Sequence, residues 1–138
     1  QRAMAPYRVA KSLTFAYGHR LRSHDGPCRH AHGHNAHVEV ECAGDLDAQG
    51  MVVDFKAIQR VLGGWIRENW DHRMILQTGD PLVAALTELQ EPVYELDGPP
   101  TAENLAAHLF HVARDAGLPV SAIRFWETPT SMACYAGS

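Results

Sequence analysis

No run of about 18 apolar residues occurs in the 138-residue chain, so the sequence offers no candidate for a membrane-spanning helix. Cysteine is scarce: Cys28, Cys42 and Cys134 cannot all pair with one another, which argues against a disulfide framework. The sequence also shows no charged stretch followed by an apolar segment and a cleavage site. Together with the odd thiol, this makes a reducing cytoplasm the expected compartment. Internal repeats, linkers and low-complexity tracts are missing too, so residues 1–138 are expected to form a single domain. Charged residues make up only 20% against 46% hydrophobic, a balance that excludes a disordered tail protein and suits a soluble globule.

What charge there is divides unevenly. Residues 1–29 hold six basic side chains (Arg2, Arg8, Lys11, Arg20, Arg22, Arg29) against Asp25 alone, while the remainder carries six basic and fifteen acidic ones. The N-terminal part is therefore suited either to an anionic ligand or simply to solvent. With a pI of about 6.1, nucleic acid is not an expected partner. The compositional excess is histidine: nine residues, five of them between His24 and His37.

Along the chain, Tyr7–Tyr17 reads as a strand after a short N-terminal lead, 18–33 as a polar loop, and Asn35–Cys42 as a cleanly alternating second strand. Met51–Val53 is predicted as a short strand. Asp54 can cap a helix whose apolar positions Phe55, Ile58, Val61, Leu62, Trp65 and Ile66 follow a 3.6-residue period, weakened at Gly63-Gly64. Asp80–Gln90 reads as a shorter helix and Pro92–Leu96 as a strand. Thr101 begins the clearest helix, which ends at Gly117-Leu-Pro119. A hairpin of Val120–Thr128 and Met132–Tyr135 closes the sequence. This order predicts an α+β domain, with an antiparallel β-sheet and helices on one face. Four main strands cannot close a barrel alone, so open edges would favour pairing between subunits.

His30, His32 and His34 recur every two residues, which places them on one face of extended chain. Two such imidazoles and His19, at the end of the first strand, can hold zinc and keep a fourth position open. Spacing alone does not choose among the three. Cys28, in a polar loop beside Arg29, suits a base or nucleophile, or else a fourth zinc ligand. Asp71-His72 could be a general base with its orienting carboxylate, although neighbours in a strand point to opposite faces. Glu127, before a Thr-Pro-Thr-Ser turn, is a rim charge or a ligand anchor; Cys42 and Cys134 sit in strand patterns as packing residues.

Six motifs occur in order: Phe15-Ala-Tyr-Gly-His19-Arg-Leu, Cys28-x3-His32-Gly-His34-Asn35, Gly50-Met-Val-Val-Asp54-Phe55, Trp70-Asp-His72, Pro100-Thr-Ala-Glu-Asn-Leu105 and Glu127-Thr-Pro-Thr-Ser131. Spanning residues 15–131, the set resembles the 6-pyruvoyltetrahydropterin synthase / 6-carboxytetrahydropterin synthase family. The resemblance implies zinc held by His19, His32 and His34, Cys28 as the proton-abstracting base, and Asp71 and His72 activating that cysteine from a neighbouring subunit. Glu127 would anchor the pterin. It further implies the tunnelling fold, in which trimers close a twelve-stranded barrel and stack to a hexamer, with active sites at subunit interfaces.

The substrate implied is 7,8-dihydroneopterin triphosphate. The favoured product is 6-carboxytetrahydropterin, released with acetaldehyde and triphosphate towards 7-deazaguanine (queuosine) synthesis; the alternative is 6-pyruvoyltetrahydropterin by triphosphate elimination. Three departures from the family pattern stand out: Tyr17-Gly18 in place of Ala-Ala, Trp70 in place of Leu, and a longer segment 77–98. The rivals are a metal-dependent hydrolase, whose common barrel form needs about 250 residues, and a non-catalytic zinc-stabilised binding module, which would use Cys28 to close the metal site.

Overall fold

The computed structural model describes residues 6–137; Ser138 and the lead segment 1–5, with Arg2, lie outside the described residues. Strand β1 (Tyr7–His19) runs antiparallel to β2 (His32–Gly44) over their whole length, from Tyr7 opposite Gly44 to His19 opposite His32. On the far side of β2, β5 (Val120–Thr128) pairs antiparallel, and β6 (Ser131–Tyr135) folds back on β5 as the expected hairpin. These four strands are the antiparallel sheet the sequence predicted. Two more extend it at the β1 edge: β3 (Arg73–Gln77) lies parallel to Tyr17–His19, and β4 (Val93–Leu96) lies parallel to β3. The order is β4-β3-β1-β2-β5-β6, a mixed sheet.

Alternation along β1 and β2 places Leu13, Phe15, Ala36, Val38 and Val40 on the buried face. Against that face pack α1 (Phe55–Ile58), a wider π-helical turn (Gln59–Gly63) and α2 (Gly64–Asn69), through Ile58, Leu62 and Ile66. The Asp54 carboxylate accepts from Lys56 N at 2.8 Å and starts this run as expected. Its extra residue falls where the Gly63-Gly64 pair weakens the helical preference. The long helix, labelled α4 (Ala102–Asp115), buries Leu105, Leu109 and Ala113 with Ile123 and Phe125 of β5. Each of these Leu, Ile and Phe side chains, moved out of water, stabilises by about 1.5–3 kcal/mol.

Three expectations are corrected. The polar loop predicted over 18–33 shrinks to 20–31, because both flanking strands continue into it. Met51–Val53 forms no strand: the Asp47 side chain accepts from Gln49 N and Met51 N, which curls the chain into a turn. Val52 and Val53 still pack on the core from that loop. Asp71-His72, treated above as strand neighbours, lie with Trp70 in a turn that precedes β3, with His72 at a φ of 60°. Trp70 itself is fully buried and stacks at 5.6 Å on His108, within a cluster that includes Trp65 and Tyr94.

Helix α3 (Pro81–Glu88) belongs to the longer segment 77–98 and is tied to the end of β1 by one buried carboxylate. Asp80 caps α3 by accepting from Leu82 N at 2.8 Å, and it accepts both Nε (2.8 Å) and Nη2 of Arg20. Arg20, one of the six basic residues of the N-terminal segment, is thus committed to structure. The Arg20 hydrogen bond holds the Asp80 carboxyl below the ordinary carboxylate range. Its contribution is therefore complete above about pH 4 and lost as pH falls through the lowered value. Asp80→Asn is expected to cost about 2–3 kcal/mol at pH 7 in urea unfolding, with the gap to the unmodified protein narrowing below about pH 4.

Candidate metal centre

His19 ends β1, and the β1–β2 register sets it directly opposite His32; His34 lies two residues on, opposite Tyr17 and on the same face. The three imidazoles therefore converge. Nε2 of His19 lies 3.1 Å from Nε2 of His32 and 3.1 Å from Nε2 of His34. Around a tetrahedral ion with nitrogens at about 2.0–2.1 Å, neighbouring ligand atoms stand about 3.3 Å apart, close to this spacing.

The outward-facing nitrogens fix the tautomers of two rings. His19 Nδ1 donates to the Pro100 carbonyl at 2.7 Å, and His32 Nδ1 donates to the His30 carbonyl at 2.7 Å. With Nδ1 protonated, each Nε2 presents a lone pair to the others, an arrangement that repels unless a cation lies among them. Burial pushes the His19 pKa down to about 4, only partly opposed by its bond to Pro100, and burial likewise lowers that of His34. Neutral imidazoles are the form that binds metal. Among the described residues these three form the one group arranged to hold a metal ion.

His30 is not in that group. It precedes β2, its side chain is exposed, and it takes part through its backbone carbonyl. Cys28 is also outside it, half-buried in a single 3-10 turn (Pro27–Arg29) whose Cys28 carbonyl accepts from Leu21 N at 2.8 Å. The Arg29 guanidinium, expected to act on this thiol, donates instead to the carbonyls of Asp25 and Gly26. All three cysteines are unpaired: Cys42 is buried, and Cys134 is exposed.

Asp71 and His72 do meet. The left-handed backbone at His72 removes the alternation of a strand and brings its Nδ1 to 2.9 Å from Asp71 Oδ1, which also accepts from Ala16 N at 3.1 Å. The His72 side chain is 80% exposed. No hydrogen bond or ion pair joins Cys28 to either residue within the chain, among the described residues. A cavity of about 650 Å³ is lined by His32 and His34 on one side, and by His72, Met74 and Leu86 on the other, so the longer segment 77–98 does shape this space. Glu127, on β5, places Oε1 3.9 Å from His19 Nε2 with its side chain 24% exposed. It faces the histidine centre.

Sequence reasoning missed the two backbone carbonyls that orient the rings. The Pro99-Pro100 pair before the Thr101 cap was the visible signal: proline keeps that stretch out of the helix and leaves its carbonyls free. Thr101 Oγ1 accepts from Asn104 N, fixing the start of α4 beside them.

A model of the family described as 6-pyruvoyl tetrahydropterin synthase matches residues 8–138. Among similar proteins, a probable 6-carboxy-5,6,7,8-tetrahydropterin synthase of Halobacterium salinarum is 41% identical over 125 residues, 86% of this chain and 79% of that protein. The 6-carboxy-5,6,7,8-tetrahydropterin synthase of Haemophilus influenzae is 36% identical over 138 residues, 94% of this chain and 98% of that one. Among solved structures, an uncharacterized protein of Wolinella succinogenes superposes with a TM-score of 0.82 at 28% identity, covering 96% of this chain and 98% of its own.

The metal test follows from the geometry. His19→Ala, His32→Ala and His34→Ala are each expected to lose most bound metal by mass spectrometry of purified protein. His30→Ala should retain it, since only its carbonyl is used.

Proposed function

The chain belongs to the 6-pyruvoyl tetrahydropterin synthase family, and from this premise we propose that it is a zinc-dependent synthase acting as one domain over 1–138. Its reaction converts 7,8-dihydroneopterin triphosphate and water to 6-carboxy-5,6,7,8-tetrahydropterin, acetaldehyde and triphosphate. What supports the reading is the name shared by the relatives, together with the His32 and His34 Nε2 atoms each 3.1 Å from His19 Nε2.

His19, His32 and His34 would hold the ion; zinc bound there would supply Lewis acidity to the oxygens of the substrate side chain. The chain's own groups do the rest. Glu127 accepts hydrogen bonds from the amino-pyrimidine edge and fixes the pterin with its side chain towards the histidines. The Cys28 thiolate removes a carbon-bound proton from that side chain, and the electron pair moves into the ring imine, reducing the ring without a redox cofactor. His72, oriented by Asp71 through the 2.9 Å bond, takes the thiol proton of a neighbouring subunit's Cys28.

That division of labour requires a homo-oligomer. β1 pairs with β2 on one side along its whole length and with β3 on the other only through Tyr17–His19, and β6 is an edge strand on the far side of β2. Both edges can pair with other copies, closing trimers that stack to a hexamer. No helix among the described residues is long and apolar enough to cross a membrane, and unpaired cysteines suit the cytoplasm.

Incubation with dihydroneopterin triphosphate is expected to release acetaldehyde and triphosphate together. Triphosphate without acetaldehyde would assign the 6-pyruvoyl reaction instead, and release of neither would reject both.

Cys28→Ala should keep its zinc and assembly while turnover falls about 10²–10⁴-fold. Mixed inactive Cys28→Ala and His72→Ala subunits should regain part of the activity, because some sites then combine an intact cysteine with an intact Asp71-His72 pair. Mixtures that stay inactive would place the relay within one chain.

A further inference from the structure

Tyr17 is 3% exposed and lies on the ligand face of β1, opposite His34 and two residues before His19. Its ring packs edge-on to His19 at 5.2 Å, against His34 at 5.6 Å and edge-on to Phe125 at 5.8 Å. The ring alone would explain its place as filler between the histidines and the core. The hydroxyl would not: Tyr17 Oη is fully buried and makes no hydrogen bond, which is costly for a group that water would otherwise satisfy. Phenylalanine would fill the same space without that penalty.

The carboxylate whose charge bears on this hydroxyl is that of Glu127. Burial, together with the negative charge of Glu127, pushes the Tyr17 pKa up; a carboxylate can only accept, so between these two groups the phenolic O–H is the donor, and both side chains border His19. Glu127 in turn reaches to 3.9 Å from His19 Nε2 and is otherwise without a hydrogen bond among the described residues. A carboxylate that must read two adjacent donors of a flat ligand needs its plane fixed, and one further donor in a dry wall can do this.

We propose that Tyr17 is a positioning residue whose phenolic O–H donates to Glu127 and holds that carboxylate in the orientation that grips the pterin ring. The inference rests on Glu127 as the pterin anchor. It assigns a role to the Tyr17-Gly18 departure: the ring on one face brings a hydrogen-bond donor, while on the other face the absent Cβ of Gly18 leaves room for the Met74 side chain.

The test is a double-mutant cycle on the zinc-loaded protein, with 7,8-dihydroneopterin as the binding probe. Tyr17→Phe should weaken binding about 5–20-fold and raise KM for the triphosphate, with kcat within about threefold and zinc content unchanged. Glu127→Gln should weaken binding about tenfold or more, and adding Tyr17→Phe to it should cost little further, since the two changes remove one interaction. If Glu127→Gln binds normally, the anchor assignment itself fails. If Glu127→Gln binds weakly and Tyr17→Phe normally, the anchor stands and the role of Tyr17 is overturned. Equal losses from Tyr17→Phe with and without Glu127→Gln would also overturn it, because Tyr17 would then touch the ligand directly.

A purely space-filling Tyr17 would leave KM unmoved. Should Tyr17→Phe fail to fold, 3-fluorotyrosine at position 17 reports on the hydroxyl directly: its fluorine signal should move on Glu127→Gln, and a fixed signal would reject the contact.

Discussion

The antiparallel register of β1 against β2 is the constraint on which the centre depends. It sets His19 opposite His32 and Tyr17 opposite His34, and the two-residue period of a strand keeps all four side chains on one face. A slip of one residue would turn the β2 histidines to the other face and destroy the site. The register is in turn held by burial on that same face, where Phe15, Ala36 and Val38 are almost fully covered. The core that stabilises the sheet is thus also what aims the three nitrogens, and the cost of crowding them is borne by long, well-paired strands rather than by a loop.

Much of this was legible because it is periodic. Alternation marked β2, the 3.6-residue period marked the helices, and Asp54 and Thr101 announced their caps before each was found accepting a backbone N–H. Periodicity could not choose among His30, His32 and His34, since all three fit one face. The choice depends on where β2 begins, and strand ends are set by the partner strand. Met51–Val53 shows the converse: its residues favour a strand, but the Asp47 side chain takes the local amides and no neighbouring strand is there to pair. β3 escaped because its five residues follow a turn whose key feature, a positive φ at a histidine, has no sequence signal comparable to glycine.

That backbone feature also decides the chemistry of Asp71-His72. In an extended strand the two side chains would diverge; at a φ of 60° they hydrogen-bond. Such a conformation is uncommon for a non-glycine residue and persists when its surroundings hold it. Here His72 N donates to the Ala16 carbonyl at 2.7 Å while Asp71 Oδ1 accepts from Ala16 N. One residue of β1 therefore clamps both ends of the pair, just beyond the point where β3 leaves the β1 edge.

This clamp links the proposed proton relay to assembly. Proton transfer by an imidazole is most effective where water is excluded and the ring has one orientation, yet the His72 side chain stands 80% exposed in the single chain. Beside it runs the stretch of β1 before Tyr17, whose outer edge is not covered by β3. Exposed strand edges are unstable towards pairing. A strand from another copy laid along that edge would satisfy the backbone and cover the Asp71-His72 turn in the same step. The surface that most needs a partner for stability is therefore the one beside the groups that most need to be dry, so an isolated subunit would hold a complete set of metal ligands but only part of a working acid–base system.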